Sequence, residues 1–347
     1  MRYGLIGCGG IGALRAQALG LAQGVGLAAV CDADPARARA LAGKHGAAVE
    51  ADWRRLVERK DIDAVIVSTP PHLHAEMAIR ALHAGKHVLS EKPLARDAEE
   101  ARAMVAAAES SRSHLATGFN YRFYPSVVKA RELMASGIIG ELDHIRSYAG
   151  YSARDHNPEW VHDAEVMGGG ALRDNGIHLI DLTRVFLGDV AEVKGFATDH
   201  VWGFDGCEDN GFALLKNDHG RVASLHASWN EWLGYRLLVE VYGTLGVIRT
   251  WCFPMRTQVT WSRERAGKMH TRTDRFLGTM LQEHLKSYRW LVVQSFITEI
   301  AEFGRAVRGE RSVSATGLDG LRALEVAAAV AHAGPRRDAA MPTAIAV

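Results

Sequence analysis

A glycine-rich run near the amino terminus constrains the fold of this chain more than any other feature. Gly7-Cys8-Gly9-Gly10-Ile11-Gly12 follows a strand-like apolar segment and opens a segment with helical periodicity, which is the βαβ setting of a G-x-G-x-x-G turn. Short apolar strands and helix-period segments alternate through the first domain, so we predict an α/β fold with a doubly wound parallel sheet. The predicted strands are Tyr3 to Ile6, Leu27 to Cys31, Ala64 to Ser68, Lys86 to Leu89 and Leu115 to Gly118.

The glycines of this turn have separate tasks. Gly7 permits a tight turn, Gly9 lets the backbone approach a pyrophosphate, and Gly12 permits close packing of the helix. Gly10 and Ile11 complete the loop that we predict to contact a dinucleotide at the helix amino terminus. A glycine-rich turn followed by a helix-capping aspartate is the alternative.

A carboxylate at the end of the second strand completes the fingerprint and bears on the choice of cofactor. Asp32 lies about 20 residues after the glycines, where it would bind ribose hydroxyls and repel a 2′-phosphate. Asp34 adds a second negative charge, although Arg37 and Arg39 could accommodate a phosphate if they turned back. The sequence therefore predicts NAD in preference to NADP.

The pattern of predicted secondary structure changes after Tyr124-Pro125. One helical segment is followed by closely spaced β-rich runs, which predict a C-terminal α/β domain with a large open, mostly antiparallel sheet. We assign residues 1–121 to the first domain and 122–347 to the second, with a tail from about 334. The runs are Asp143 to Tyr151, Val190 to Thr198, Phe212 to Leu215, Arg221 to Trp229, Leu237 to Val241 and Val247 to Trp251.

The bulk composition excludes several classes of partner. The formal net charge is +1, so no global field attracts nucleic acid or a membrane surface. Four widely spaced cysteines indicate neither a zinc site nor a disulfide framework, and no apolar stretch approaches the ~20 residues that span a bilayer. We expect a cytoplasmic protein with a small-molecule ligand. An open sheet needs cover for its apolar face, so we also expect a homodimer or homotetramer.

A charged triplet follows the predicted strand that ends at Leu89. Glu91-Lys92-Pro93 places a lysine at the carboxyl end of a buried strand, downstream of the glycine turn. Desolvation disfavours an ammonium, so a half-buried lysine exchanges its proton more easily than a free one and suits catalysis. The triplet alone equally permits an ion pair between Lys92 and Glu91 that caps the strand.

A second polar cluster follows a triple glycine in the other half of the chain. Asp174 and His178 are four residues apart and Asp181 is three further, so a helix would place all three on one face, with a carboxylate able to orient the imidazole. Histidine is the natural proton acceptor near neutral pH when a hydroxyl is oxidised. From these residues alone, a metal site and a solvated polar face are the alternatives.

Five short motifs occur in a characteristic order. They are Gly7-x-Gly9-x-x-Gly12, Thr69-Pro70-Pro71-x-x-His74, Glu91-Lys92-Pro93, Asn120-x-Arg122-Phe123-x-Pro125 and Gly168-Gly169-Gly170-x-x-x-Asp174-x-x-x-His178. The set resembles the Gfo/Idh/MocA oxidoreductases over essentially the whole chain. The resemblance implies a Rossmann domain followed by an α/β domain whose large sheet carries the substrate pocket on one face and often an oligomer interface on the other.

The resemblance also implies roles. Lys92 corresponds to the family's catalytic lysine, which usually precedes a cis-proline, here Pro93. Asp174 and His178 correspond to the acid and the histidine that complete the site. In the implied mechanism His178 takes the hydroxyl proton while nicotinamide takes the hydride, Asp174 fixes the imidazole, and Lys92 stabilises charge on the reacting oxygen. The implied activity is an NAD(P)-dependent dehydrogenase or reductase acting on CH–OH groups, with no metal.

Further positions match residues that line the cofactor in the family, mostly near the nicotinamide ribose. Glu91 is expected there as a neighbour of the cofactor, and His74 could instead fill a polar gap at a helix start. Many relatives have Trp-Arg where this chain has Trp160-Val161, so only the tryptophan is expected beside the nicotinamide. The predicted set is Thr69, Pro70, His74, Glu91, Lys92, Asn120 and Trp160.

A polar and aromatic stretch before the second cluster suits a polyhydroxylated ring. We therefore expect a sugar or cyclitol substrate, with an aromatic dihydrodiol as the alternative within oxidoreductases. An NAD-retaining glycosidase and a non-catalytic dinucleotide-binding protein are the alternatives from other classes. The basic segment 249–275 could attract an anionic substrate or form an exposed sheet edge. The predicted substrate contacts are Tyr151, Arg154, His156, Trp160 and Tyr288, together with Lys92, Asp174 and His178.

Overall fold

The first domain of the computed structural model is built on a six-stranded sheet. The structure describes residues 1–154, 158–232, 234–279 and 288–332. The strands are β1 (Arg2–Ile6), β2 (Gly26–Cys31), β3 (Ala48–Val49), β4 (Ala64–Val67), β5 (His87–Ser90) and β6 (Leu115–Thr117). Their order is β3-β2-β1-β4-β5-β6 and every neighbouring pair is parallel, which confirms the predicted doubly wound sheet.

Helices cover both faces of this sheet. They are α1 (Gly10–Leu21), α2 (Pro35–His45), α3 (Trp53–Glu58), α4 (His74–His83) and α5 (Ala98–Ser111). The Asp34 carboxylate caps α2 by accepting hydrogen bonds from two backbone N–H groups, and Asp97 caps α5 in the same way. These caps set where the helices begin relative to the strands before them.

The centre of the sheet is buried from both sides. Val65 and Val67 belong to the core cluster that includes α4 and α5, whereas Ala64 and Ile66 belong to the cluster under α1 and α2. The strand order reverses between β1 and β4, so a crevice opens at their carboxyl ends. Open α/β sheets bind their ligands at such a point.

The second domain carries an eight-stranded sheet, which confirms the prediction of a large, mostly antiparallel sheet. Its strands are β7 (Leu142–Gly150), β8 (Val190–Thr198), β9 (Asn210–Asn217), β10 (Val222–Ser228), β11 (Arg236–Gly243), β12 (Gly246–Cys252), β13 (Met255–Trp261) and β14 (His270–Arg275). The order is β14-β13-β12-β11-β7-β10-β9-β8, and only β7 and β10 pair in parallel. The helices are α6 (Pro125–Ala135), α7 (Ala164–Met167), α8 (Gly176–Leu187), α9 (Tyr288–Val307) and α10 (Gly317–His332).

The two faces of this sheet differ. Alternate residues such as Ile145, Leu225 and Val239 are buried on the face that packs against the helices. On the other face Phe212 and Leu214 are 44% and 55% exposed. The large sheet therefore has one solvated face that is partly apolar.

The basic segment 249–275 supplies the edge of the large sheet. Arg249 pairs with Glu240, and Arg256 lies over the ring of Trp251 at 3.9 Å from the centroid. Strands β13 and β14 form this edge, which agrees with the interpretation of the segment as an exposed border.

Helix α9 returns to the first domain although its sequence position is in the second. Val293, Phe296, Ile300 and Phe303 are buried in the core cluster beneath α1. Helix α10 packs against α5, α8 and β8 and so bridges the two domains. Among the described residues, no helix is both long and apolar enough to cross a bilayer.

Candidate active site

The glycine turn is fitted to its place between β1 and α1. Gly7 has φ +93°, and a Cβ there would lie 2.5 Å from the carbonyl oxygen of Ser68. A Cβ on Gly12 would lie 2.0 Å from the carbonyl oxygen of Gly7. By contrast, a Cβ on Gly9 or Gly10 would meet nothing within 4 Å. The turn is thus closely packed at Gly7 and Gly12 and open at Gly9 and Gly10. This arrangement fits the approach of a pyrophosphate to the start of α1.

Asp32 lies at the end of β2 and is tied to the turn. One carboxylate oxygen accepts a hydrogen bond from the backbone N–H of Cys8 at 2.5 Å, and the other accepts from the N–H of Asp34 at 2.8 Å. Its position relative to the glycines is the one that the fingerprint predicts for a ribose-binding carboxylate.

Lys92 reaches from the end of β5 to the second domain. Its Nζ donates to Oδ1 of Asp174 at 3.0 Å and to the backbone carbonyl of Asp174 at 3.1 Å. The alternative in which Lys92 pairs with Glu91 is wrong, because the Glu91 carboxylate accepts from Arg15 instead. The predicted cis peptide bond between Lys92 and Pro93 is confirmed.

Asp174 accepts further hydrogen bonds besides its contact with Lys92. Its Oδ2 accepts hydrogen bonds from the Tyr151 hydroxyl and from Nε1 of Trp229, the latter at 3.1 Å. Burial alone would raise the pKa of Asp174, but the charge of Lys92 and these hydrogen bonds outweigh it and hold that pKa below its usual value. A carboxylate at this position is therefore ionised, and its charge fixes the ammonium of Lys92.

His178 is buried beside this pair. Its ring stacks on Tyr121 with centroids 4.0 Å apart and meets the edge of Phe119. Nδ1 is buried and has no hydrogen-bond partner among the described residues. Burial, followed by the charges of Lys92 and Arg15, lowers the pKa of His178 well below its usual value. The imidazole is consequently neutral at neutral pH and able to accept a proton.

The prediction that Asp174 contacts and orients the imidazole of His178 is wrong. Helix α8 begins at Gly176, so Asp174 lies in the turn before it, where four-residue helical spacing does not apply. Among the described residues no hydrogen bond joins the two side chains; Asp174 orients Lys92, and the ring of Tyr121 positions the imidazole.

Asp181 does not belong to the site. Both of its oxygens accept from Arg122, at 2.8 and 2.5 Å, in a buried ion pair. Burial raises the pKa of Asp181, and Arg122 opposes that shift. Asp181 therefore neither lies with Asp174 and His178 nor is available to a metal, and no cluster of three or more potential metal ligands occurs in the described parts of the chain.

Of the residues predicted near the nicotinamide ribose, all except Trp160 lie on the segments that follow β4, β5 and β6. His74 is fully buried, with Nδ1 3.0 Å from the carbonyl oxygen of Pro93 and Nε2 2.8 Å from that of Thr69. It therefore braces Thr69-Pro70 and the Lys92-Pro93 loop from behind, in agreement with the polar-gap alternative. Asn120 is also buried and donates to the hydroxyl of Ser295 on α9 at 2.8 Å.

The predicted substrate contacts divide into two groups. Tyr151 lies in the site through its bond to Asp174. Arg154 is exposed and Trp160 is 38% exposed, and among the described residues neither has a hydrogen bond, ion pair or ring contact with Lys92, Asp174 or His178. His156, the side chain of Tyr288 and the tail from about 334 lie outside the described residues.

Several aromatic residues of the site are absent from the sequence prediction. Tyr235 stacks on Tyr151 with centroids 5.7 Å apart, and its hydroxyl is 3.0 Å from that of Tyr121. Trp229 follows β10 and is fully buried against Asp174. Tyr121 lies inside the Asn120-x-Arg122 motif, so this motif could have predicted it as a site residue. No local sequence pattern marks Trp229 or Tyr235.

Arg15 and Glu299 are also absent from the prediction. Arg15 is fully buried on α1 and donates from Nε to Glu91 Oε1 at 2.6 Å and from Nη1 to Glu299. Its guanidinium carbon lies 3.6 Å from the centroid of the Phe296 ring. A buried cation thus stands directly behind the triplet that carries Lys92.

Comparisons with known proteins agree with this geometry. The family model described as the oxidoreductase family with an NAD-binding Rossmann fold matches residues 1–119, and that of the GFO/IDH/MocA C-terminal domain matches residues 127–249. Inositol 2-dehydrogenase of Rhizobium meliloti is 30% identical over 97% of this chain and 98% of its own length. Myo-inositol 2-dehydrogenase of Thermotoga maritima is 29% identical over 93% of each chain.

The fold has close counterparts among solved structures. Levoglucosan dehydrogenase in complex with NADH superposes with a TM-score of 0.85 at 26% identity, covering 96% of each chain. The same enzyme with NADH and levoglucosan gives 0.84 at the same identity and coverage. This chain is therefore an NAD-binding oxidoreductase and belongs to the Gfo/Idh/MocA family.

Proposed function

We propose that this chain is an NAD-dependent dehydrogenase that oxidises a ring hydroxyl of a sugar or cyclitol. The observation that carries the proposal is the convergence of Lys92, Asp174 and His178, from two domains, at the carboxyl end of β5. Relatives named as inositol dehydrogenases and a neighbour solved with levoglucosan support a polyhydroxylated ring as substrate.

The chemistry divides among these residues. When bound at the crevice, the nicotinamide ring supplies the hydride acceptor for the carbon that bears the hydroxyl. His178 is neutral and takes the hydroxyl proton at a ring nitrogen. Lys92 donates a hydrogen bond to the same oxygen and stabilises the negative charge that develops there, while Asp174 holds the ammonium in position. In the reverse direction the same groups protonate a carbonyl oxygen.

A substrate screen tests this proposal. Purified protein is incubated with NAD, and separately with NADP, and with inositols, monosaccharides, levoglucosan, sugar acids and dihydrodiols, while absorbance at 340 nm is followed. We expect NADH formation with at least one sugar or cyclitol and a keto product by mass spectrometry. Turnover of dihydrodiols alone would move the substrate class to aromatic diols. Cleavage of a glycoside without NADH release would indicate a glycosidase that retains its NAD.

We also propose that two copies of the chain associate through the solvated face of the large sheet. Phe196 pairs in register with Phe212 on the neighbouring strand, and Leu214 is exposed beside them. An apolar patch of this kind on an open sheet is typical of a protein interface. Light scattering after gel filtration is expected to give a dimer or tetramer, and Phe212→Glu is expected to release monomers; a monomeric unmodified protein would contradict this.

A cytoplasmic location is part of the same proposal. All four cysteines are free and buried, as suits a reducing compartment. Fractionation of cells that express the native gene, with detection by antibody, is the direct measurement.

A further inference from the structure

Arg15 joins three elements that are far apart in the sequence. It lies on α1, which starts at the glycine turn; Glu91 follows β5; and Glu299 lies on α9. Arg15 and Glu299 are almost completely inaccessible, at 0% and 1% exposure. The guanidinium is also covered by the ring of Phe296.

Such a cluster is not explained by stability alone. Removing charges from water costs several kcal/mol per ion, and a buried ion pair often does no better than apolar side chains of the same volume. The bonding here is also incomplete, because Nη2 of Arg15 and Oε1 of Glu299 are buried without partners among the described residues. The arrangement therefore costs free energy of folding, and its location suggests which function requires it.

That location is the backbone that carries Lys92. Glu91 precedes Lys92, and its two oxygens are held separately, Oε1 by Arg15 and Oε2 by the backbone N–H of Lys92 at 3.4 Å. A Cβ on Gly118 would lie 2.9 Å from Nη2 of Arg15 and 3.1 Å from Oε2 of Glu91. The guanidinium thus lies between the loop after β6 and the Lys92 loop, close to both.

The charge of Arg15 also acts on His178, which the second domain contributes to the site. Together with burial and Lys92, it lowers the pKa of His178. Tyr121, from the turn after β6, stacks on that imidazole, Phe119 meets its edge, and the charged groups that act on it are Lys92 after β5 and Arg15 on α1. Arg15 itself faces the carboxylates Glu91 and Glu299.

We infer that Arg15 is a positioning residue of the dehydrogenase: it fixes the Lys92 loop to the helix of the glycine turn, and its permanent positive charge acts on His178. This inference rests on the proposed function for its consequence in catalysis. Its two physical effects, on the Lys92 loop and on the His178 ring, exist in the protein without substrate and can be measured there.

The first measurement is the titration of His178 by NMR of the histidine ring carbons, with the signal assigned by its loss in His178→Gln. In the unmodified protein the titration midpoint of this ring lies well below the usual value for histidine. In Arg15→Met the titration midpoint is expected to rise by at least about 0.5 pH units, and in Arg15→Lys to stay near the original value, because the charge is kept. An unchanged midpoint in Arg15→Met overturns the inference.

The matched control is Arg184→Met. Arg184 is also buried, lies on the helix of His178 and pairs with Asp189 and Asp319, so its loss also removes a buried cation. We expect a loss of stability and no displacement of the His178 midpoint. An equal displacement in Arg184→Met would mean that loosened packing, not the charge of Arg15, is responsible, and would overturn the inference.

The second measurement separates rate from cofactor binding. Arg15 has no exposed surface with which to contact NAD, so Arg15→Met should change the dissociation constant of NAD by less than about threefold and lower kcat at least about tenfold. Equal losses in binding and rate would make Arg15 part of the cofactor site instead. If the unmodified protein turns over no sugar, the proposed function fails, and the NMR titration still decides the inference.

A milder variant covers the case in which Arg15→Met does not fold. Burial raises the pKa of Glu299 to about 7, although Arg15 opposes it, so Glu299 is protonated at lower pH. Glu299→Gln therefore imitates the protonated form. The ratio of its rate to that of the unmodified protein should be near one at about pH 5.5 and fall at least about threefold by about pH 8.5. A ratio independent of pH would overturn the inference.

Discussion

Replacement of Lys92 by methionine removes the ammonium and keeps the unbranched stem. In the unmodified protein Nζ lies 3.0 Å from Asp174 Oδ1, and in the proposed mechanism it donates to the oxygen of a bound hydroxyl. Loss of one donor that stabilises developing charge typically costs roughly 10²–10³ in kcat, about 3 to 4 kcal/mol. We expect Lys92→Met to lower kcat/KM by at least that factor.

The same change has a smaller effect on the ground state. Asp174 loses its cation and keeps the hydrogen bonds from Tyr151 and Trp229, so its pKa should rise and the fold should persist. A hydrogen bond to a charged group contributes about 1.5–3 kcal/mol, and the side chains of the pair are only 24% and 13% exposed. We therefore expect the free energy of unfolding to fall by about 2 kcal/mol. Affinity for NAD should change by less than about tenfold, ~1.4 kcal/mol.

Lys86, which adjoins the opposite end of β5, offers a matched control. It precedes β5, whereas Lys92 follows it, and its Nζ donates to the carbonyl oxygens of Arg59 and Ile62 at 2.7 and 2.8 Å. Lys86→Met should lower stability and leave kcat/KM unchanged. Initial rates at 340 nm, NAD titration by fluorescence and urea denaturation measure the three quantities. Parallel losses of NAD affinity and rate in Lys92→Met would refute the assigned role and make Lys92 a cofactor anchor.

Three further predictions test other parts of the structure. Asp32→Ser should weaken binding of NAD relative to NADP by at least about tenfold in calorimetry, since the carboxylate that repels a 2′-phosphate is gone; equal changes would contradict the cofactor assignment. Because the pKa of His178 lies well below its usual value, the steep decline of kcat/KM for oxidation, about tenfold per pH unit, should begin well below pH 6.5, beyond the change of about threefold expected from Glu299 near pH 7; a steep decline that begins at 6.5 would contradict the role of His178 as base. Arg122→Met leaves Asp181 buried without its cation and should lower the free energy of unfolding by about 3–5 kcal/mol in urea, and a loss below about 1 kcal/mol would contradict the ion pair.

The sequence predicts most of the fold because its main elements carry strong local patterns. The predicted strand Val190 to Thr198 coincides with β8, and the other predicted strands differ by a few residues at their ends. Strand β3 lacks a pattern because Ala48–Val49 is short and exposed. Strand β14 reads His-Thr-Arg-Thr-Asp-Arg, which has no apolar alternation because both faces of an edge strand can be solvated.

The site was less predictable where it depends on contacts between distant segments. Lys92 and its cis-proline follow from a local motif. The partner of Glu91, however, is Arg15, which is 76 residues away, and the second partner of Arg15 is Glu299, which is 284 residues away. The pairing of Asp174 was misjudged for a local reason. The chain after the triple glycine forms a turn, so the helix starts two residues beyond Asp174.

The return of α9 to the first domain has a consequence for how this enzyme can be divided. A fragment of residues 1–121 would expose the apolar surface around Leu19 that Phe296 and Ile300 cover, and would lack Glu299 as the partner of Arg15. The dinucleotide-binding unit is therefore discontinuous, and its last piece follows the large sheet in the sequence. Chimaeras that exchange substrate domains within the family should carry α9 together with the amino-terminal segment, because a single crossover near residue 121 would separate the two.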